Sequence, residues 1–421
     1  MSLANFPNEY PEFTLDFRNA RTLDPRITFS RASTATYIDD EGEVVTSHAD
    51  APRFTPNGLL IEESRTNQCK ASEDMTFPNQ AWSLNAATIT VNATTAPDGT
   101  TTADALFETT ASADHRLQYA TQIFKNISTS LFVKPNGRDY VSARILAAGN
   151  QWATVVFELI GDGAITKIED GSTNLITHVG SSIEAVANGW YRISITTNRT
   201  SSTAQYPILF GTCTTANPTL DAILGAEIFA GDTSKGIYVW GVQFEYEQGF
   251  PTSYIPTSGS AATRAQDLVS IPSTDLIDPS QGTFVWDVTP FNDSFSGEYA
   301  FMATDTGTDN SLISVAGSSY TFAVYDALSL EAQIDYSSTY QTDTNVRAAA
   351  AYATDDVALA TDGVIRGTDS NASMPATIDE LYLFRRENNV ASSRMSGHFN
   401  RISYYSTRLS DSALRALSPA P

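Results

Sequence analysis

Four side chains on two neighbouring candidate strands carry the chemistry that a binding protein would use. In Trp152–Leu159, alternation sends Ala153, Val155, Phe157 and Leu159 one way and Trp152, Thr154 and Glu158 the other. In Asp139–Ala147, Tyr140, Ser142 and Arg144 share a face opposite Val141, Ala143 and Ile145. An exposed Trp or Tyr offers a flat apolar plate to a sugar ring, and Arg and Glu supply hydrogen bonds to its hydroxyls. Tyr140, Arg144, Trp152 and Glu158 are therefore candidates for a carbohydrate-binding face. The competing use of the same face is an interface, covered by the N-terminal segment or by a sister subunit. The apolar area of Trp152, Tyr140 and Val156 favours burial at about 25 cal/mol per Å².

Acid–base chemistry has thinner support. Glu245 and Glu247 stand at i and i+2 on one strand face, a pairing that a glycosidase could use and that a solvated or Arg-paired edge also produces. His48, His115, His178 and His398 are scattered singly, so spacing draws no Ser/His/Asp constellation and no catalytic residue is assigned. Asp305-Thr-Gly-Thr-Asp309-Asn310 places oxygen ligands at alternate positions, as calcium loops do, but lacks the terminal Glu of an EF-hand. Calcium on Asp305 and Asp309 is the one cofactor the spacing allows; otherwise none is expected. Cys69 and Cys213 stand far apart, which leaves a single bridge open but rules out a disulfide framework.

The elements that position these residues are strands. With 421 residues the chain is long enough for two or three domains. Sparse charge with abundant Ser, Thr, Ala and aromatics is an all-β composition. A formal charge of −23 repels phosphates and anionic membranes, so nucleic acid is not an expected partner. No apolar run approaches a membrane span, and the start, MSLANFPNEYPEF, has neither a basic leader nor an apolar core. The expectation is a soluble chain made in a cytoplasm, with no membrane insertion.

Residues 1–70 read as extended structure too lean in apolar mass to fold alone. Phe13, Leu15 and Phe17 alternate, and turns follow at Asp24-Pro25, Asp39–Glu43 and Asn57-Gly58. From Trp82 to Tyr246 short strands recur at sandwich spacing, ending in Ile237–Tyr246. There Tyr238, Trp240, Val242, Phe244 and Tyr246 are expected on the core face, with Gln243 and Glu245 on the wet one. A Ser/Gly/Ala-rich linker, 257–267, leads to a second strand-rich domain, 268–421. In it Phe284, Trp286 and Val288 alternate, and Ser410 caps a short helix carrying Leu414 and Leu417.

Three motif groups resemble bacteriophage virion proteins of the head-spike or tail-fibre type. They are LDFRNARTLDPRITFSRASTATYIDDEG with NGLLIEESRTN; SLFVKPNG, NGWYRISIT and YVWGVQFEYEQGFPTSYIPT, similar to carbohydrate-binding modules; and GHFNRISYYSTRLSDSALRAL, similar to concanavalin-like closing strands. The resemblance implies two β-sandwich (jelly-roll) domains, 71–256 and 268–421, preceded by an extended N-terminal attachment segment, 1–70. It implies a virion structural protein that contacts other virion proteins, binds a host-surface glycan and assembles as a homotrimer through the Tyr140/Arg144/Trp152 face. Concanavalin-like glycosidases carry alternating carboxylates on one strand. Here Asp379 and Glu380 are adjacent and point to opposite faces. Binding without cleavage is the expected activity; the alternatives are a virion-borne glycan depolymerase and a capsid decoration protein without ligand. A chain starting near Ala71 is expected to keep both sandwiches folded and to fail only in attachment.

Overall fold

The computed structural model describes residues 10–76, 81–122, 126–146, 150–172, 175–199, 205–246, 249–291, 299–305, 311–316, 320–337, 344–385 and 395–420. It is all-β apart from short helical turns, and it divides into two compact units. One unit holds residues 1–34, 47–64 and 265–421; the other holds 35–46 and 65–264. Glu247 and Asp309 lie outside the described residues.

In the unit containing the C-terminal half, two sheets enclose the larger core. The eight-stranded sheet has Gln281–Pro290 and Gly397–Tyr405 at its centre, and the seven-stranded sheet runs from Thr28–Ser30 through Leu268–Pro272 to Ser329–Tyr336. Phe284, Trp286 and Val288 point into the core as alternation requires, meeting Phe301, Leu312, Phe322 and Leu383. The helix Asp411–Leu417 begins at Ser410, whose side chain accepts from the Ala413 N–H, and buries Leu414 on Val285, Ala349 and Ala358.

The N-terminal segment does not stand apart from this sandwich. Phe13–Asp16 pairs with Gly397–Tyr405, as does Gly58–Ile61, while Thr28–Ser30 pairs with Leu268–Pro272. Phe13, Leu15, Phe17, Leu59 and Ile61 all enter the core. A buried charge cluster locks the arrangement. Asp267 takes Arg31 Nη1 at 3.0 Å and Arg53 Nη2 at 2.5 Å, and Arg53 Nη1 meets Glu62 Oε2 at 2.7 Å. The Glu62 N–H also donates to Asp267 at 2.8 Å. Burial pulls the Arg31 guanidinium below its ordinary value in spite of Asp267; at Arg53 the same burial is outweighed by Asp267 and Glu62, which raise it. The segment is lean because it borrows a core, and strand pairing supplies the reason.

In the other unit two six-stranded sheets face each other. One is Ile176–Val186, Trp190–Arg199, Asn126–Asn136, Gly236–Tyr246, Ala103–Glu108 and Ala87–Thr94; the other is Ala164–Asp170, Trp152–Glu158, Tyr140–Leu146, Gln205–Cys213, Arg116–Gln122 and Trp82–Asn85. Leu131, Val133, Val141, Val155, Phe157, Ile193 and Phe210 fill the space between them.

The expected single apolar face of Ile237–Tyr246 is corrected here. Ser130 pairs with Gln243 but Phe132 pairs with Trp240, so Gly241 and Val242 together oppose Leu131 in a β-bulge. Gly241 sits at φ +63°, and a Cβ there would lie 2.9 Å from the Phe132 ring. The bulge reverses the phase: Ile237 and Val239 point into the sandwich before it, Val242 and Phe244 after it. Trp240 turns to the outer face, where it joins Phe132, Trp190, Tyr254 and Val44 in a second small core. Residues 35–46 and the returning Tyr254 cover that face.

Two outcomes follow from these contacts. A chain starting at Ala71 loses four strands and three members of the buried charge cluster from the sandwich of 265–421, so that unit is expected to lose its cooperative melting transition, read by near-UV circular dichroism. The half-buried His398, edge-on to Phe291 at 5.1 Å, is held by burial at about 4 against an ordinary 6.5. The folded state refuses a proton that the unfolded chain accepts, so stability present above pH 6.5 is lost as pH falls and the loss is complete near pH 4. This window is worth roughly 3 kcal/mol, and His398→Gln should remove it from denaturant melts compared across the two pH values.

Candidate functional site

The proposed sugar face on Tyr140–Leu146 and Trp152–Glu158 is built in the register that alternation predicts. Tyr140 lies opposite Glu158, Arg144 opposite Thr154 and Leu146 opposite Trp152. What alternation does not reveal is that the chain covers most of this face itself. Trp152 is only 2% exposed, and its indole N–H donates to the Ala222 carbonyl at 3.1 Å. Thr154 donates its hydroxyl to the Gly225 carbonyl at 2.8 Å, and Lys167 Nζ reaches the Pro218 carbonyl at 2.8 Å. The cover is the segment 214–229, held by Asp221, which accepts from the Ile223 and Leu224 N–H groups, and by Glu227, which accepts from the Thr214 N–H at 2.7 Å. Gly225 lies at φ +62°, and a Cβ there would stand 2.3 Å from the Trp152 ring.

The expectation of an exposed Trp152 plate, free for a glycan or a sister subunit, is therefore overturned. Val156 is buried as well. Arg144 is 1% exposed and donates through Nη2 to Asp114 Oδ2 at 2.8 Å. Asp114 also takes Arg116 Nη1 at 2.6 Å, and Arg116 Nε donates to Gln118 Oε1 at 2.9 Å. Asp114 was missed by strand reasoning, although an acid beside His115-Arg116 was a visible signal. His115 is buried against Phe229 with rings 4.6 Å apart.

Two of the four candidates remain at the surface together. Tyr140, half-buried, donates its hydroxyl to Glu158 Oε1 at 3.0 Å, and that carboxylate holds the phenol above its ordinary value. Beside them the Gly161–Gly163 turn takes the Tyr191 hydroxyl on the Gly161 carbonyl at 2.9 Å. The strip is a tyrosine ring fixed in orientation, with a carboxylate and two turn glycines around it.

The other sequence candidates are structural. Glu245 is 1% exposed and accepts from the Thr252 N–H at 2.9 Å, the Thr252 hydroxyl at 2.5 Å and Gln243 Nε2 at 2.9 Å, with Arg65 at 3.9 Å. Its expected wet face is covered by the return through Thr252–Ile255, whose Ile255 N–H donates to Gln243 Oε1 at 2.7 Å. Asp305 is buried and accepts from the Thr377 hydroxyl at 2.7 Å. Among the described residues no group of three or more His, Cys, Asp or Glu side chains stands together as a metal site. Cys69 and Cys213 are buried free thiols; burial raises both, Cys213 to about 12.

The class defined by fold and geometry is an all-β protein of two β-sandwich units, with the outer faces around Trp152 and around Glu245 covered by its own loops. No family model matches the chain, and no curated protein matches it. Among solved structures it is similar to the Ruminococcus gnavus IT-sialidase CBM40 bound to α2,3-sialyllactose, at 16% identity and TM-score 0.29, over 34% of this chain and 83% of that one. It is also similar to domain 4 of AbnA, a GH43 extracellular arabinanase from Geobacillus stearothermophilus, in complex with arabinotriose, at 13% identity and TM-score 0.30, over 39% and 80%. A Trypanosoma rangeli sialidase overlaps 75% of this chain and 60% of its own at 10% identity and TM-score 0.27. At these TM-scores the likenesses carry no argument, and the fold rests on the strand pairing described above.

Removing the Trp152 ring leaves a cavity under 214–229 and frees the Ala222 carbonyl. Trp152→Ala is expected to cost about 3–5 kcal/mol, measured by denaturant unfolding, and to open 214–229 to limited proteolysis. An unchanged melt with an intact loop would contradict the covered face.

Proposed function

We propose that the chain is a structural and adsorption component of a phage particle, a spike or fibre that binds a host-surface glycan without cleaving it. The reading includes residence on the virion, contact with other virion proteins and homo-oligomeric assembly. The attachment role read into residues 1–70 belongs to it, although four short strands of that segment also pair into the sandwich sheets. The order of the three motif groups along the chain supports the phage assignment.

The observation that carries glycan binding is the Tyr140–Glu158 strip. A sugar ring needs a flat apolar plate whose orientation does not have to be frozen on binding, and the 3.0 Å bond to Glu158 freezes Tyr140 beforehand. Glu158, also at the surface, retains acceptor capacity for a sugar hydroxyl. Binding without cleavage is supported by Glu245, whose oxygens are committed to Thr252 and Gln243 within the fold.

Tyr140→Ala is expected to weaken adsorption to host polysaccharide roughly tenfold, the worth of one aromatic contact of about 1.4 kcal/mol, with the melting temperature nearly unchanged. Glu158→Gln should weaken it less. Binding by surface plasmon resonance decides the matter: undiminished affinity in both variants removes the strip as the site, and release of reducing sugar by the wild type replaces adsorption with depolymerase activity. Light scattering tests the assembly, and a monomeric full-length chain removes it.

A further inference from the structure

The covered part of the same sheet contains a charge that its own surroundings do not balance. Arg144, Asp114 and Arg116 form a linear array in which two guanidiniums share one carboxylate, with side-chain exposures of 2%, 4% and 15%. The array carries an excess positive charge in a largely dry setting. Arg144 uses only Nη2 on Asp114; its Nε and Nη1 are buried with no hydrogen-bond acceptor in reach among the described residues. Neither cross-strand neighbour is bonded to these atoms: Leu209 is apolar, and the Thr154 hydroxyl is turned to donate to the Gly225 carbonyl. Ser142, next along the same face, is engaged by the Cys213 thiol and makes a long contact to the Gly211 carbonyl at 3.4 Å.

Buried guanidinium N–H groups without acceptors are costly. A buried water would satisfy the donors and leave the charge. A small anion satisfies both. A ligand of more than a few atoms is excluded, because the segment that lays Gly225 over Thr154 and Trp152 seals this face. We propose that the space beside Arg144, beneath the segment 214–229, is a binding site for a small monovalent anion of the size of chloride or formate. The anion completes the Arg144–Asp114–Arg116 array and so ties anion occupancy to closure of 214–229. The site is separate from the Tyr140–Glu158 strip, and nothing in it depends on glycan binding. Burial also holds the Arg144 guanidinium below its ordinary value, an effect that a bound anion would reverse.

The full chain is melted in sodium gluconate and in sodium chloride or bromide at equal ionic strength, so that general screening is constant and only the small anion is exchanged. The expected result is a saturable rise in melting temperature with halide, accompanied by slower proteolysis within 214–229. Arg144→Met keeps the length of the side chain and should abolish the halide dependence while leaving glycan adsorption intact. A crystal grown in bromide should show an anomalous peak at hydrogen-bond distance from Arg144 Nε or Nη1. Melting temperatures equal in gluconate and halide overturn the proposal. So does a halide effect that survives in Arg144→Met, which places the anion elsewhere. If Arg144→Met does not fold, the bromide crystal decides: a peak at Arg144 supports the site, and its absence refutes it.

Discussion

The structure of the larger sandwich depends on one buried carboxylate. Asp267 holds Arg31 and Arg53 with all three side chains fully buried, where each ion has lost several kcal/mol of hydration. Such a cluster is tolerable only if every member is met on several sides, and here it is. Arg31 also donates to the Ser33 and His48 carbonyls and to the Ser47 hydroxyl, while Glu62 answers the other arm of Arg53. Four segments, around residues 31, 47–53, 62 and 267, must converge for the charges to cancel. The unit therefore needs both ends of the sequence, and its lean N-terminal strands gain in ion pairing what they lack in apolar mass.

The other unit applies the same constraint to polar sheet faces. Gln243 and Glu245 would cost stability if left dry and unpaired, and the return through Thr252–Ile255 supplies their partners. Asn67 does similar work: its amide N–H groups donate to the Val242 and Ile255 carbonyls, and its oxygen accepts from the Cys69 and Phe244 N–H groups. Trp152 and Thr154 find theirs in the segment 214–229. Tyr140 and Glu158 stay at the surface beyond these covered stretches, next to the Gly161–Gly163 turn. The proposed glycan strip therefore lies on a margin of the scaffold rather than under a covering loop.

The motif LDFRNARTLDPRITFS…ESRTN reads as an attachment signature when only its order along the chain is known. In the fold, Arg31, Arg53, Glu62, Arg65 and Asn67 are internal fasteners of the two sandwiches. Buried arginines in a chain poor in positive charge are committed to internal carboxylates, which explains why so few are left to shape the surface.

The sequence alone determined the period of the strands and the turns between them. Phe284, Trp286 and Val288 point inward, Tyr140 lies across from Glu158, and Ser410 starts the final helix, because side-chain alternation and capping are local properties. It also set the charge that disfavours nucleic acid. Only the tertiary structure decided which second face was wet. Alternation separates two faces but carries no information about a cover supplied from some seventy residues away, as Ala222 and Gly225 supply it to Trp152 and Thr154. The bulge at Gly241 was equally out of reach, since one extra residue inverts every later side chain and is defined only by the register of the neighbouring strand. The place of Phe13–Asp16, Thr28–Ser30 and Gly58–Ile61 followed from pairings more than two hundred residues distant, and local pattern cannot express such contacts.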